Sequence, residues 1–120
     1  MLVVGIGARP GVRKAELDQA IDLALAAVSR HRGEVAALAT LDRRMASLRE
    51  FADDNGWQLI AFTADELAAE KVPQPSATVL AHAGTPSVAE AAALRAGTRL
   101  IATKRVFPRV TVAIAERVPA

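Results

Sequence analysis

The chain has 120 residues, a formal net charge of +2 and no cysteine; that is enough for one domain, and it excludes a disulfide frame, a thiolate metal site and a cysteine nucleophile. Hydrophobic residues make up 52% and the mean hydropathy is +0.22, so a packed aliphatic core is expected and disorder is not. Aromatics are only 3% and no zinc-finger, RRM or KH pattern is present, which argues against nucleic acid as a partner.

In chain order, Leu2 to Ile6 reads as a short buried strand closed by Gly5-Ile6-Gly7. Arg13 to Arg30 reads as a helix with Leu17, Ile21, Leu25 and Val28 at helical spacing and Gly33 as its stop. Glu34 to Thr40 is a second strand. Thr40 or Asp42 is placed to cap a helix carrying Leu41, Met45, Leu48 and Phe51 on one face, ended by Asn55-Gly56. Trp57 to Phe62 is a third strand, and Thr63 opens the short helix ADELAAE. KVPQPS is a loop, because two prolines forbid regular structure there, and TVLAHA fits either a strand or a short helix. In GTPSVAEAAALRAG, Pro86 suits the first helical position and Ser87 with Glu90 has capping-box spacing, so a helix runs to Gly97. Arg99 to Thr103 and Val110 to Ala115 form a terminal hairpin around KRVFPR.

Alternating strands and helices define an α/β fold: a single domain, residues 1–120, with a mostly parallel sheet of about five strands flanked by helices and a C-terminal antiparallel hairpin. In such sheets ligands sit beyond the carboxyl ends of the strands. Gly7 to Gly11, Thr40 to Arg44 and Thr103 to Arg105 fall there.

GIGARPG invites a nucleotide reading, but its G-x-G-x-x-x-G is one residue longer than the dinucleotide fingerprint, and the acidic residue about 20 positions on is missing. No Gly-Lys-Ser/Thr follows for a P-loop. A tight strand-to-helix turn explains the glycines. N–H groups at the helix start, with Arg9, Arg13 and Lys14, suit a carboxylate. Arg43 and Arg44 open a helix, where the macrodipole disfavours cations; they are either tolerated surface residues or guanidiniums facing an acidic ligand. Thr85 and Ser87 either cap a helix or face a ligand. Lys104 and Arg105 end a strand, guarding an edge or binding the same ligand. His31 reads as an exposed helix-end residue. No metal-ligand cluster can be assembled, and the residues alone define a domain that binds an anionic small molecule.

Over nearly its whole length the chain resembles the CobE/CbiG C-terminal family of cobalamin-biosynthesis proteins. The resemblance rests on GIGARPG, on GTPSVAEAAAL, on TK followed by VTVAIA, and on LDRRMASLREFADDNGWQLIAFTADEL in the middle. It departs from many members at Ala8, where they have Cys, and at Arg43-Arg44, where they have Lys. The first departure argues that a thiol is dispensable here; neither removes positive charge. The resemblance implies a role in building the corrin ring of vitamin B12, with an anionic precorrin or corrinoid intermediate as ligand and no cofactor. Gly7, Arg9, Arg13, Arg43, Arg44, Thr85, Ser87, Lys104 and Arg105 are then the candidate substrate-binding residues.

Two readings follow. The chain is a corrinoid-binding protein, or it is a hydrolase that opens a precorrin lactone and releases acetaldehyde, as CbiG proteins do. The hydrolase needs an acid–base group, for which Glu90 and His82 are the candidates, with Lys104 or backbone N–H groups stabilising an oxyanion. MLVVGIGARPG lacks the basic start of a signal peptide and no apolar run has the length of a membrane span, so a cytoplasmic location is expected and a membrane is not a partner. Other corrin-pathway enzymes are candidate partners, and the alanine-rich helices and edge hairpin permit a homodimer.

Overall fold

LVVGIGA is apolar on both faces of a strand, and the chain builds its sheet around it. The computed structural model describes residues 1–70 and 88–117. Their strands are β1 (Leu2–Ala8), β2 (Val35–Leu41), β3 (Gln58–Phe62), β4 (Arg99–Val106) and β5 (Val110–Glu116). Their α-helices are α1 (Lys14–Ala27), α2 (Met45–Asn55), α3 (Ala64–Ala68) and α4 (Val88–Ala96). The sheet order is β3-β2-β1-β5-β4. β1, β2 and β3 pair in parallel, and β5 runs antiparallel to both β1 and β4. Four strands therefore point the same way, and the reversed strand lies inside the sheet.

The period of two in β1 and β5 sorts the two layers. Leu2, Val4, Ile6, Val110, Val112 and Ile114 face a core with Leu17, Ile21 and Leu25 of α1 and with Leu48 and Phe51 of α2. On the other face Val3, Ala37, Ala39 and Leu41 meet Leu67, Ala91 and Ala92, and Ala113 and Ala115 meet Ala89 and Ala93. Small side chains let α4 lie close. A Cβ added at Gly5 would fall on the Ala89 carbonyl oxygen and 2.8 Å from the Ala93 nitrogen.

Several boundaries differ from expectation. α1 ends at Ala27, before Gly33, because Ser29 takes a left-handed conformation (φ 58°). The Ser29 and Arg30 N–H groups then donate to the Ala26 and Leu25 carbonyls, which closes the helix. Gly33 instead lies in the 3₁₀ turn Arg32–Glu34. Asn55-Gly56 ends α2 as expected, with Gly56 at φ 71°.

Neither Thr40 nor Asp42 caps α2. Thr40 is buried inside β2 and donates its hydroxyl to the Ile6 carbonyl at 2.8 Å. Asp42–Arg44 forms a 3₁₀ turn, so Arg43 and Arg44 precede α2 rather than open it. Leu41 ends β2 and packs on the α4 face, away from Leu48 and Phe51. The Thr63–Glu66 capping box of α3 is present. β4 runs through Lys104 and Arg105 to Val106, leaving a turn at residues 107–109 shorter than KRVFPR. KVPQPS and TVLAHA, with His82, Thr85 and Ser87, lie outside the described residues.

Candidate functional site

Because β1 to β4 share a direction, their carboxyl ends share an edge. Gly7 to Gly11, Asp42 to Arg44 and Lys104 to Arg105 all lie there, as does Arg13 at the start of α1. They extend over the ends of β2, β1, β5 and β4, three strand spacings or about 14 Å.

Backbone contacts tie this edge together. The Arg44 guanidinium is half-buried and donates from Nε to the Ala8 carbonyl at 2.9 Å. The Arg9 N–H donates to the Arg109 carbonyl at 3.0 Å, which joins the β1 loop to the β4–β5 turn. Arg109 in turn donates from Nη1 to the Gly11 carbonyl at 3.4 Å and lies 3.6 Å from the Glu16 carboxylate. Gly11 has φ +81°, a conformation that glycine adopts without strain.

The helix start is less open to an anion than its sequence suggests, since the Glu16 carboxylate accepts the Arg13 N–H at 3.0 Å. Lys14 turns to Asp54 at 3.3 Å, across a cleft of about 240 Å³ between α1 and α2 that Leu17 and Phe51 also line. Arg9, Arg13, Arg43 and Arg105 are exposed. Lys104 is half-buried, and its N–H donates to Glu90 Oε2 at 3.2 Å. Glu90 itself is buried in the first turn of α4, so the structure brings together Glu90 and Lys104.

Arg109 is the residue at this edge that the sequence reading passes over. It sits in KRVFPR, where a hairpin turn alone explains a cation; only its partners Gly11 and Glu16, about a hundred positions away in the chain, mark it out. Among the described residues no group of three or more His, Asp or Glu is placed to hold a metal ion, and no helix is long and apolar enough to cross a membrane.

These features define a three-layer α/β domain with a cation-bearing edge at its strand ends. Residues 2–115 match the family model described as cobalamin synthesis G C-terminus, and the chain belongs to that family. It is the family that GIGARPG, GTPSVAEAAAL and VTVAIA pointed to. The fold is similar to that of CobE, a protein from the cobalamin (vitamin B12) biosynthetic pathway, with a TM-score of 0.86 and 31% identity over 98% of this chain and 91% of that one. It is also similar to cobalamin biosynthesis protein chiG from Agrobacterium tumefaciens, with a TM-score of 0.68 and 34% identity over 99% of this chain and 100% of that one. Cobalt-precorrin-5A hydrolase of Priestia megaterium is 31% identical over 96 residues, 78% of this chain and 26% of that protein. The chain thus spans about a quarter of the length of this curated relative.

Proposed function

We propose that this domain binds an anionic precorrin or corrinoid intermediate during corrin ring formation, at the strand-end edge. The observation that carries the reading is the gathering of Gly7, Arg9, Arg13, Arg43, Arg44, Lys104 and Arg105 along one edge of the sheet. Corrinoid intermediates carry acetate and propionate carboxylates around a flat macrocycle. Guanidiniums spread over about 14 Å meet such a ligand at several points, and Arg offers each carboxylate a two-pronged hydrogen bond. Thr85 and Ser87 complete the proposed binding set. The ligand is a small molecule with no resident cofactor, and the proposed setting is the cytoplasm, with other corrin-pathway enzymes as partners.

The experiment is an anaerobic titration of the purified protein with corrin-pathway intermediates, followed by their visible spectra and an acetaldehyde assay. Saturable binding with an unchanged chromophore and no acetaldehyde is expected. Absence of binding to every intermediate contradicts the proposal.

The similarity to a cobalt-precorrin-5A hydrolase favours a second reading, in which this domain opens a precorrin lactone. Glu90 and His82 are then the acid–base candidates, and acetaldehyde appears in the assay. Under that reading Glu90→Gln loses turnover and keeps ligand. The complete burial of Glu90 and its bond to a backbone N–H favour the binding reading.

A further inference from the structure

β4 spends eight residues, Arg99 to Val106, opposite only six of β5, Thr111 to Glu116. The two extra residues enter as irregularities, one between Leu100 and Ala102 and one between Ala102 and Arg105. A bulge takes backbone groups out of the ladder and re-aims the side chains around it. Lys104 lies in the second. Its N–H donates sideways, to the carboxylate of Glu90 from the neighbouring layer. The other buried residues of α4 are Ala89, Ala91, Ala92 and Ala93, so one long acidic side chain reaches out of an alanine surface to meet this amide.

We infer that Glu90 is a positioning residue: its buried carboxylate clamps the Lys104 bulge and so fixes where Lys104 and Arg105 meet the carboxylates of the ligand. The inference rests on the binding reading above and gives its site a specific support. The clamp needs an oxygen acceptor at the right reach and no proton transfer. Glutamine supplies that oxygen and cannot act as a base. Aspartate is one methylene short, and alanine has no acceptor.

The test pairs two measurements on wild type, Glu90→Gln, Glu90→Asp and Glu90→Ala. One is hydrogen exchange at the Lys104 amide without ligand. The other is affinity for cobyrinic acid, a stable corrin bearing free carboxylates, by visible titration. Fast exchange and a several-fold weaker affinity are expected for Glu90→Ala and Glu90→Asp, with near wild-type values for Glu90→Gln. In a Lys104→Ala, Arg105→Ala background, Glu90→Ala adds no further loss. If Glu90→Ala does not fold, the Asp and Gln variants carry the comparison. The inference is overturned if Glu90→Gln is as impaired as Glu90→Asp, or if exchange is unaltered in all variants. If exchange behaves as expected but wild type binds no corrin, the clamp stands as a structural brace and the binding reading falls, taking the positioning role with it.

Discussion

Gly5 and Thr40 lie on the neighbouring strands β1 and β2, and each is chosen by what it meets. At Gly5 the backbone of α4 comes so near that a methyl group meets the Ala89 carbonyl and Ala93. Gly5→Ala forces the helix off the sheet, and about 1–3 kcal/mol of destabilisation is expected from such overpacking, read as a lower urea midpoint. Thr40 donates its hydroxyl to the Ile6 carbonyl inside the core. Thr40→Val keeps the shape and loses the hydrogen bond, for an expected cost of about 1 kcal/mol in the same measurement. A tight turn was the expectation for the glycines of GIGARPG, yet Gly5 and Gly7 lie inside β1 and of the three only Gly11 takes a positive φ; what Gly5 answers to is a packing partner. That partner is a helix more than eighty positions away, and local sequence does not record long-range packing.

Among the elements, Ser29 shows how a helix end escapes a sequence reading. Gly33 looked like the stop because glycine tolerates a left-handed turn, yet the chain turns four residues earlier on a serine. A non-glycine residue in that conformation costs about 1 kcal/mol or more. Ser29→Gly is therefore expected to raise stability by up to about 1 kcal/mol, the relief of strain less the extra freedom glycine gives the unfolded chain, seen as a higher melting temperature; a lower melting temperature would contradict the strain at this position. The hairpin was legible from its two apolar runs, whereas the irregularities of β4 show only in its pairing with β5. Why β5 lies inside and β4 at the edge is legible afterwards: VTVAIA is apolar on both faces, while RLIATKRV leaves Arg99, Thr103, Arg105 and Val106 exposed. At the opposite end of the sheet Glu116 holds Arg99 at 2.7 Å and Arg30 at 2.9 Å. The hydrogen bond from Arg99, chiefly, holds the Glu116 carboxyl below its ordinary value of 4.5. The folded state thus binds this proton less readily than the unfolded chain. The stabilisation is present in full above the ordinary value and is lost as pH falls through the lower folded one. Glu116→Gln is expected to reduce stability near neutral pH, and the difference from wild type should shrink as the solution is acidified below about pH 4. A gap that persists in acid would mean the carboxylate charge is not its source.

For the molecule as a whole, topology decides which residues share an edge. Alternation of strands and helices was enough to place the strand ends together, and the structure groups the β1 loop, the turn after β2 and the end of β4 accordingly. What the sequence hid is how much of that edge is self-engaged: Arg44 on Ala8, Arg109 on Gly11, Glu16 on the Arg13 amide. Those contacts join distant positions and follow from the finished fold. If the exposed cations hold a polycarboxylate as proposed, that binding depends on ionic strength, since screening weakens surface charge over about 8–10 Å. A rise in Kd of several-fold between low salt and about 0.5 M is expected, and a salt-independent Kd would point to an apolar site instead. The most direct test is amide chemical-shift mapping of the labelled protein during titration with cobyrinic acid. Shifts concentrated at Gly7 to Arg13, Asp42 to Arg44 and Thr103 to Arg109 are the expected result. Shifts confined to Ser47, Glu50 and Asp54 in the α1–α2 cleft, or to Arg30, Glu34 and Glu116 at the opposite edge, would contradict it.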